Sequence, residues 1–444
     1  MTNTPKTMHD QEKKKVIDAA KLALENTAAK GIKMLELRPK KMTKDEAFEG
    51  DHDFIADPKE LPEIIRSFIE ASRHHKTNLV VTQKYPAKTR IELAWNIGSP
   101  SIVFEIWPHI ELLSGRTKLK RMRTIIPWEE VEKIIQPGGV QPRLEPRAAA
   151  LIYLTHLEFK KKELGSDEVK SRILQMEERI LSACADTPLT RETLSLLQEV
   201  GTKSPIYETS LKATDIITKK LNIKTKNPLS AGLMDIKKRI SMKARWRLKL
   251  ITPIVGPDGV GKGTVTTRLQ ENSHRKPQIL KFKDLFRKSL IYKIILRPII
   301  KRSADERNIH EERISGILLT IALIRLFQAQ AVMHIKRQRK TILMDRFFTD
   351  YMAGKIRSTP PETSSQNRWL AKLIPTPDKM VVMFCSHQTR KKRKHELSDT
   401  SCDLLELRTI EYITKQRLKS TLFLCTERPI PESTYNMEEF LFAR

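Results

Sequence analysis

The sequence is poor in cysteine and in aromatic residues, and both shortages exclude kinds of protein. Its four cysteines, Cys184, Cys385, Cys402 and Cys425, include no C-x-x-C pair, so neither a disulfide framework nor a structural zinc site is indicated. Aromatic residues make up 6% of the chain, and no stacking motif accompanies its basic segments, which argues against a nucleic-acid binder. The expected location is the reducing cytoplasm.

Long apolar runs are also missing. The N-terminus has no apolar core of the kind that a signal peptide requires. Basic residues interrupt Leu285–Ile300, and the uncharged run from Ile314 ends before Arg325 after 11 residues, short of the roughly 20 that cross a bilayer. We therefore expect no transmembrane segment, and a buried helix at Ile314–Leu326.

Positive charge is abundant and unevenly distributed. The chain has 82 Lys and Arg against 53 Asp and Glu, a net charge of +29. Residues 1–200 hold 33 basic and 30 acidic residues, a surplus of +3, whereas residues 201–444 hold 49 and 23, a surplus of +26. Such a balance favours polyanionic partners, which include nucleotide phosphates, nucleic acid and an anionic membrane surface. It does not choose among them, and it says nothing of oligomeric state.

The 444 residues predict two or three domains at about 150 residues each. Short apolar runs and turn signals predict a small α/β unit at residues 1–160. Residues 161–245 are predicted to form a helical extension and a basic linker, which the pattern also allows to be a basic helical brace. From residue 246 to 444, strands alternate with helices, which predicts a doubly wound parallel sheet. The overall class is α/β.

The predicted elements are as follows. Strands are expected at Met34–Arg38, Asp53–Ala56, Leu79–Gln83, Arg90–Ile97, Ser101–Trp107, Leu248–Val255, Thr341–Met344, Met380–Cys385 and Thr421–Cys425. Helices are expected at Asp10–Lys30, Pro58–His74, Arg147–Gly165, Asp167–Ala185 and Thr190–Val200.

The sharpest motif is a glycine-rich segment, Gly256-Pro-Asp-Gly-Val-Gly-Lys-Gly-Thr264, between a predicted strand and a helix-competent segment. Glycines let the backbone wrap phosphates closely, and the helix N-terminus adds a favourable dipole. Lys262 would reach the outer phosphates as a point charge. The predicted phosphate contacts are Gly256, Gly259, Val260, Gly261, Lys262, Gly263 and Thr264. Thr264 is the nearest hydroxyl for a magnesium ion, because Gly263 stands directly after the lysine.

A second motif follows the strand predicted at Thr341–Met344. Asp345 and Arg346 stand at its C-terminal end, the edge at which open α/β sheets bind ligands. Asp345 is predicted to hold magnesium and Arg346 to hold phosphate oxygens.

Together these motifs resemble the thymidylate-kinase-like group of P-loop kinases, over residues 248–444. The resemblance also takes in Thr376-Pro-Asp378, the basic segment Arg390–Lys394 and Glu406. It implies ATP and Mg²⁺ as donor and cofactor, and a nucleoside monophosphate as acceptor. It further implies that the basic segment is a lid in which Arg390 and Arg393 stabilise transition-state charge. Asp258 would then contact the acceptor or act as a base, whereas the residues themselves equally allow a turn-fixing role.

The N-terminal unit carries a different pattern. Asp51 and Asp53 alternate at a strand start, and Glu105 lies on a later strand, so three carboxylates are predicted to hold magnesium. This resembles the minimal nucleotidyltransferase fold, an α+β domain, over about residues 30–160; a degenerate binding or structural module is the alternative. His52 and His109 are expected at the surface.

The leading hypothesis is an ATP-dependent kinase that acts on a nucleoside monophosphate similar to thymidine monophosphate. One alternative is a kinase for a sugar, glycan or lipid-linked acceptor, because similar N-terminal units precede thymidylate-kinase-like domains in proteins associated with surface-polysaccharide synthesis. The other is a protein that binds nucleotide or polyanion without turnover.

Overall fold

A computed structural model describes residues 5–37, 51–83, 88–116, 121–136, 142–160, 166–201, 206–225, 247–248, 251–281, 341–347, 376–394, 399–416 and 418–442. This part of the chain contains 16 strands and 11 α-helices. The α/β class predicted from the sequence is confirmed. The helix predicted at residues 314–326 lies outside the described residues.

The strands have the following bounds. They are β1 (Met34–Glu36), β2 (Asp51–Ala56), β3 (Asn78–Gln83), β4 (Thr89–Ala94), β5 (Ser101–Trp107), β6 (His109–Arg116), β7 (Arg121–Pro127), β8 (Ile135–Gln136), β9 (Arg143–Leu144), β10 (Arg247–Leu248), β11 (Ile251–Val255), β12 (Gln278–Lys281), β13 (Ile342–Asp345), β14 (Thr376–Pro377), β15 (Lys379–Phe384) and β16 (Ser420–Cys425).

The helices have the following bounds. They are α1 (Pro5–Ala29), α2 (Leu61–His75), α3 (Trp128–Val131), α4 (Pro146–Lys160), α5 (Asp167–Ala183), α6 (Pro188–Gly201), α7 (Ile206–Lys219), α8 (Lys262–Asn272), α9 (His387–Arg393), α10 (Asp399–Gln416) and α11 (Ile430–Phe442). None of these helices combines the length and the apolar character that a membrane crossing requires.

Ten strands form one sheet in the order β1-β2-β5-β4-β3-β16-β15-β11-β13-β12. Five neighbouring strands of this sheet pair in parallel, as the alternation of strands and helices predicts. They are β16, β15, β11, β13 and β12. The chain passes from β11 to β12 and β13 on one side and to β15 on the other. The space beyond the carboxyl ends of β11 and β15 is therefore a topological switch point, where open α/β sheets bind ligands.

The sheet continues into the N-terminal half through β3, which pairs antiparallel with β16. The register runs from Thr82 opposite Ser420 to Leu79 opposite Phe423. The sequence predicted units at 1–160 and 246–444, and nothing in it indicated this pairing. Pairing between strands so far apart in the chain leaves no local pattern in the sequence, so only the structure reveals it.

Apolar residues fill both faces of the sheet. On one face of the parallel strands, Val265 and Leu269 of α8 pack with Met437 and Phe440 of α11. The other face is covered by α10 and by the N-terminal helices α1 and α2, where Phe68 is fully buried. A third cluster joins the N-terminal strands to α4, α5, α6 and α7. Burial of one phenylalanine side chain such as that of Phe68 stabilises the fold by about 1.5–3 kcal/mol.

The helix α7 lies within residues 161–245, which were predicted to hold a helical extension and a basic linker. Two local features differ from the sequence prediction. The hairpin of β6 and β7 was not predicted. The strand predicted at Leu248–Val255 is divided into β10 and β11. Within β11, the ladder to β15 begins only at Ile254, directly after Pro253, because proline has no N–H to donate.

Candidate functional site

The glycine-rich segment forms a tight loop between β11 and α8. Gly256, Gly259 and Gly261 have φ values of 144°, 84° and 102°, which residues other than glycine rarely adopt. A Cβ atom on Gly256 would lie 2.5 Å from the backbone oxygen of Met383, and one on Gly259 would lie 3.0 Å from Cβ of Lys394. The loop is thus packed against the end of β15 and the end of α9, and its glycines leave room for that packing.

Lys262 is the first residue of α8 and turns back into the loop. Its Nζ atom donates hydrogen bonds to the carbonyl oxygens of Gly256 and Pro257, at 2.6 and 2.9 Å. The residue is 8% exposed, and Nζ lies 3.6 Å from Oδ1 of Asp258. A buried ammonium group is stable only where oxygen atoms surround it. The loop therefore holds a fixed positive charge at the N-terminus of a helix.

Arg346 and Asp258 form the second charged pair of the loop. Nη2 of Arg346 donates to both carboxylate oxygens of Asp258, at 2.6 and 2.8 Å. Partial burial raises the pKa of Asp258, but Lys262 and Arg346 outweigh it and hold that pKa below its usual value. A carboxylate of lowered pKa is a weak proton acceptor. The observed role of Asp258 is to pair with Arg346 and Lys262 within the loop.

The backbone after β13 explains how Arg346 reaches Asp258. Arg346 has a φ of 71°, an uncommon value for a residue other than glycine, and its N–H donates to the carbonyl oxygen of Ile254 at 2.9 Å. The next residue, Phe347, is fully buried and meets Tyr412 of α10 edge to face. Burial of Phe347 anchors the turn that directs the Arg346 guanidinium to the loop.

The two predicted magnesium ligands of this half lie on different elements. Asp345 ends β13 and is partly exposed, and Thr264 lies in the first turn of α8 and is exposed. Within the described residues, no group of three or more His, Cys, Asp or Glu side chains could hold a metal ion. A magnesium ion here would therefore need oxygen atoms of water or of a bound phosphate as further ligands.

The predicted lid arginines contact the protein itself. Arg390 is 2% exposed, and its Nη2 donates to Oδ1 of Asp399 at 2.7 Å. Arg393 donates from Nη1 to the carbonyl oxygen of Val260 at 3.2 Å and from Nη2 to that of Thr426 at 2.8 Å. In this structure both arginines thus join parts of the protein to one another, and their predicted contact with a bound nucleotide stays a prediction.

Two functional features near the loop were missed by sequence reasoning. Thr426 follows β16, and its hydroxyl donates to the Val260 carbonyl at 2.5 Å; a lone threonine after a strand gives no signal of this contact. A cavity beside the loop is lined by Gly256 and Pro257, and also by Arg73 of α2 and Glu406 of α10, which pair with each other. Burial raises the pKa of Glu406, although Arg73 opposes that effect.

The N-terminal carboxylates are only partly brought together. Asp53 and Glu105 are buried and lie opposite each other in the register of β2 and β5, whereas Asp51 is exposed. Lys88 forms an ion pair with Glu105, and Nε1 of Trp107 donates to Asp53 at 3.5 Å. The predicted magnesium site of three carboxylates is not assembled among the described residues, because an ammonium group already neutralises Glu105.

The two histidines of this unit are not surface residues of the kind predicted. His52 is 5% exposed, and its Nδ1 lies 3.3 Å from Oε1 of Glu36. His109 is partly buried, with Nε2 3.6 Å from Oε1 of Glu111. The prediction was wrong for His52 because it lies on β2 with its ring stacked on Phe104.

Known proteins show little similarity to this chain. No protein-family model matches the chain, and no curated protein matches it. Among solved structures, the chain is similar to thymidylate kinase from Ehrlichia chaffeensis, with 14% sequence identity and a TM-score of 0.27. That match covers 44% of this chain and 98% of the other. The function proposed below therefore rests on the loop and its neighbours.

Proposed function

We propose that this protein is an ATP-dependent phosphotransferase that uses the loop at residues 256–264 to hold the nucleotide phosphates. One observation carries the proposal. The Lys262 ammonium group is buried within a glycine loop that leads from the central strand β11 into the N-terminus of α8. Glycine backbone, helix N-terminus and fixed lysine are the three parts that bind phosphates in P-loop proteins.

The position of the loop in the sheet supports the proposal. The loop follows β11, which has β13 on one side in the sheet and β15 on the other. Ligands of open α/β sheets bind at this switch point. Asp345, at the end of β13, lies opposite Ile254, two residues before the loop. The N–H of Arg346 donates to the carbonyl oxygen of Ile254. Both motifs found in the sequence therefore lie at one edge of the sheet.

The charge around the loop is suited to a polyanion. Lys262, Arg346 and Lys394 all act on the one carboxylate, Asp258, and lower its pKa. With the Asp345 carboxylate at the same edge, these three cations still outnumber the two anions, and a nucleoside triphosphate would neutralise the surplus. In the transition state Lys262 and Arg346 would stabilise the charge on the transferred phosphoryl group, so that catalysis consists largely of positioning and electrostatics.

Magnesium fits the donor set of this edge. Mg²⁺ prefers oxygen ligands and keeps some of its sites for substrate phosphates, and Asp345 offers a carboxylate and Thr264 a hydroxyl on either side of the loop. When bound, the ion would neutralise phosphate charge and align the phosphate chain. The acceptor that we propose is a nucleoside monophosphate similar to thymidine monophosphate.

The test is transfer of labelled γ-phosphate from magnesium ATP to thymidine monophosphate, to other nucleotides and to simple sugars. Lys262→Ala should abolish transfer, because the buried ammonium contacts the phosphates directly. Lys219→Ala is the matched control, since Lys219 lies exposed on α7 and forms an ion pair with Asp215.

Each outcome of this assay distinguishes one functional hypothesis from the others. Labelled nucleoside diphosphate that disappears in Lys262→Ala supports the nucleotide kinase. Label on a sugar alone moves the acceptor to the glycan class. ATP binding that depends on Lys262 without transfer to any acceptor supports a binding protein, and undiminished transfer by Lys262→Ala contradicts the proposed mechanism.

A further inference from the structure

The carbonyl group of Val260 accepts two side-chain hydrogen bonds. The Thr426 hydroxyl donates to it at 2.5 Å, and Nη1 of Arg393 donates at 3.2 Å. Thr426 comes directly after β16, and Arg393 is the last residue of α9. Two elements outside the loop therefore fix the orientation of one peptide group within it.

The two donors are themselves held in place. The backbone N–H of Thr426 donates to the carbonyl oxygen of Phe384 at 3.0 Å, and Thr426 is 4% exposed. Nη2 of Arg393 donates to the Thr426 carbonyl oxygen at 2.8 Å. The ends of β15, β16 and α9 thus form one hydrogen-bonded support behind the loop.

Fixing the carbonyl also fixes the N–H of the following residue. A trans peptide group is planar, so its C=O and N–H bonds point in opposite directions. The Gly261 N–H therefore points away from Thr426 and Arg393. Gly261 caps the N-terminus of α8, where backbone N–H groups bind anions. Hydrogen bonds to the carbonyl also polarise the peptide and strengthen its N–H as a donor.

We propose that Thr426 and Arg393 are positioning residues that direct the Gly261 N–H towards the phosphates of the bound nucleotide. The inference rests on the proposed function, since it needs a nucleotide on the loop. It reassigns Arg393 from a mobile lid group that faces the nucleotide to a fixed support behind the loop. It also gives Thr426 a role in nucleotide binding that acts through the Val260 carbonyl and needs no contact with the nucleotide.

The test compares three threonine variants by calorimetric binding of magnesium ATP and by the KM for ATP. Thr426→Val keeps the side-chain shape and removes the hydroxyl, so the dissociation constant should rise about five- to tenfold. Thr426→Ser keeps the hydroxyl and should stay within about twofold of the wild type. Thr421→Val is the matched control: Thr421 is fully buried on the same strand, and its hydroxyl has no hydrogen-bond partner among the described residues.

A pair of surface variants repeats the test on α9, where folding is not at risk. Arg393→Gln should weaken ATP binding and Lys392→Gln should not, although each removes one positive charge from an exposed position. The first removes donors to Val260, whereas the second removes charge alone. Equal losses in the two variants would show that charge, not positioning, is responsible, and would overturn the inference.

The inference and the proposed function fail in different ways. Wild-type protein that binds ATP through Lys262, together with a folded Thr426→Val variant of unchanged affinity, overturns the inference alone. Wild-type protein that binds no ATP overturns the proposed function and the inference with it.

Discussion

Replacement of Gly256 by alanine should destabilise the protein strongly, and the structure gives the reason. Gly256 has a φ of 144°, and a Cβ atom there would lie 2.5 Å from the backbone oxygen of Met383 and 3.4 Å from Cγ1 of Val260. A backbone oxygen within a paired strand cannot move aside as a flexible side chain can. The added methyl group must therefore displace either the loop or the end of β15.

The size of the effect follows from two contributions. A side chain held at positive φ costs about 1–2 kcal/mol. Overpacking in a well-packed region adds about 1–3 kcal/mol. We expect Gly256→Ala to lower the free energy of unfolding by roughly 2–5 kcal/mol in total.

Gly263→Ala is the matched comparison within the same motif. Gly263 lies in α8, and a Cβ atom there would meet no atom within 4 Å. Alanine in a helix is more favourable than glycine by about 0.5–1 kcal/mol, so this variant should be slightly more stable than the wild type. Urea denaturation followed by circular dichroism measures both. Gly256→Ala as stable as Gly263→Ala would refute the packing argument.

Two further predictions concern titratable groups. Burial raises the pKa of Glu406 above its ordinary 4.5, so its contribution to stability is fully present below pH 4.5 and is lost as pH rises through the raised value. Urea denaturation should therefore show a larger loss of stability as pH rises above 4.5 for the wild type than for Glu406→Gln; equal losses would contradict this. Burial also raises the pKa of Cys425 to about 11, so at pH 8 its thiolate fraction is roughly one in a thousand. Mass spectrometry after iodoacetamide treatment should find Cys184, which is partly exposed, modified before Cys425, and the reverse order would contradict the prediction.

The glycine-rich loop at 256–264 could be predicted from the sequence because its signals are local. Glycines at 256, 259 and 261 stand in one short segment between an apolar run and a helical one, and each adopts positive φ in the structure. Asp345 and Arg346 were found in the same way, because polar residues directly after a buried strand are visible in sequence. The contact between Arg346 and Asp258 was not predicted, since nothing in the spacing reports the left-handed turn at Arg346.

Features that join distant parts of the chain could not be predicted. The pairing of β3 with β16, the ion pair of Arg73 with Glu406 and the support of Val260 by Thr426 each join residues more than 160 positions apart. No periodicity or spacing records such contacts. The basic run at 390–394 is a similar case, since its charge density does not reveal that Arg390 donates to Asp399 and Arg393 to Val260.

The most direct test of the proposed function is calorimetric titration of the 444-residue protein with ATP, with and without Mg²⁺. We expect one magnesium-dependent site per chain whose affinity falls about 10- to 100-fold in Lys262→Ala, because that change removes a charged hydrogen-bond donor to phosphate. The same titration with Lys219→Ala should match the wild type. Equal ATP affinity in the wild type and Lys262→Ala, or no binding by the wild type, would contradict the claim that the loop at 256–264 holds nucleotide phosphates.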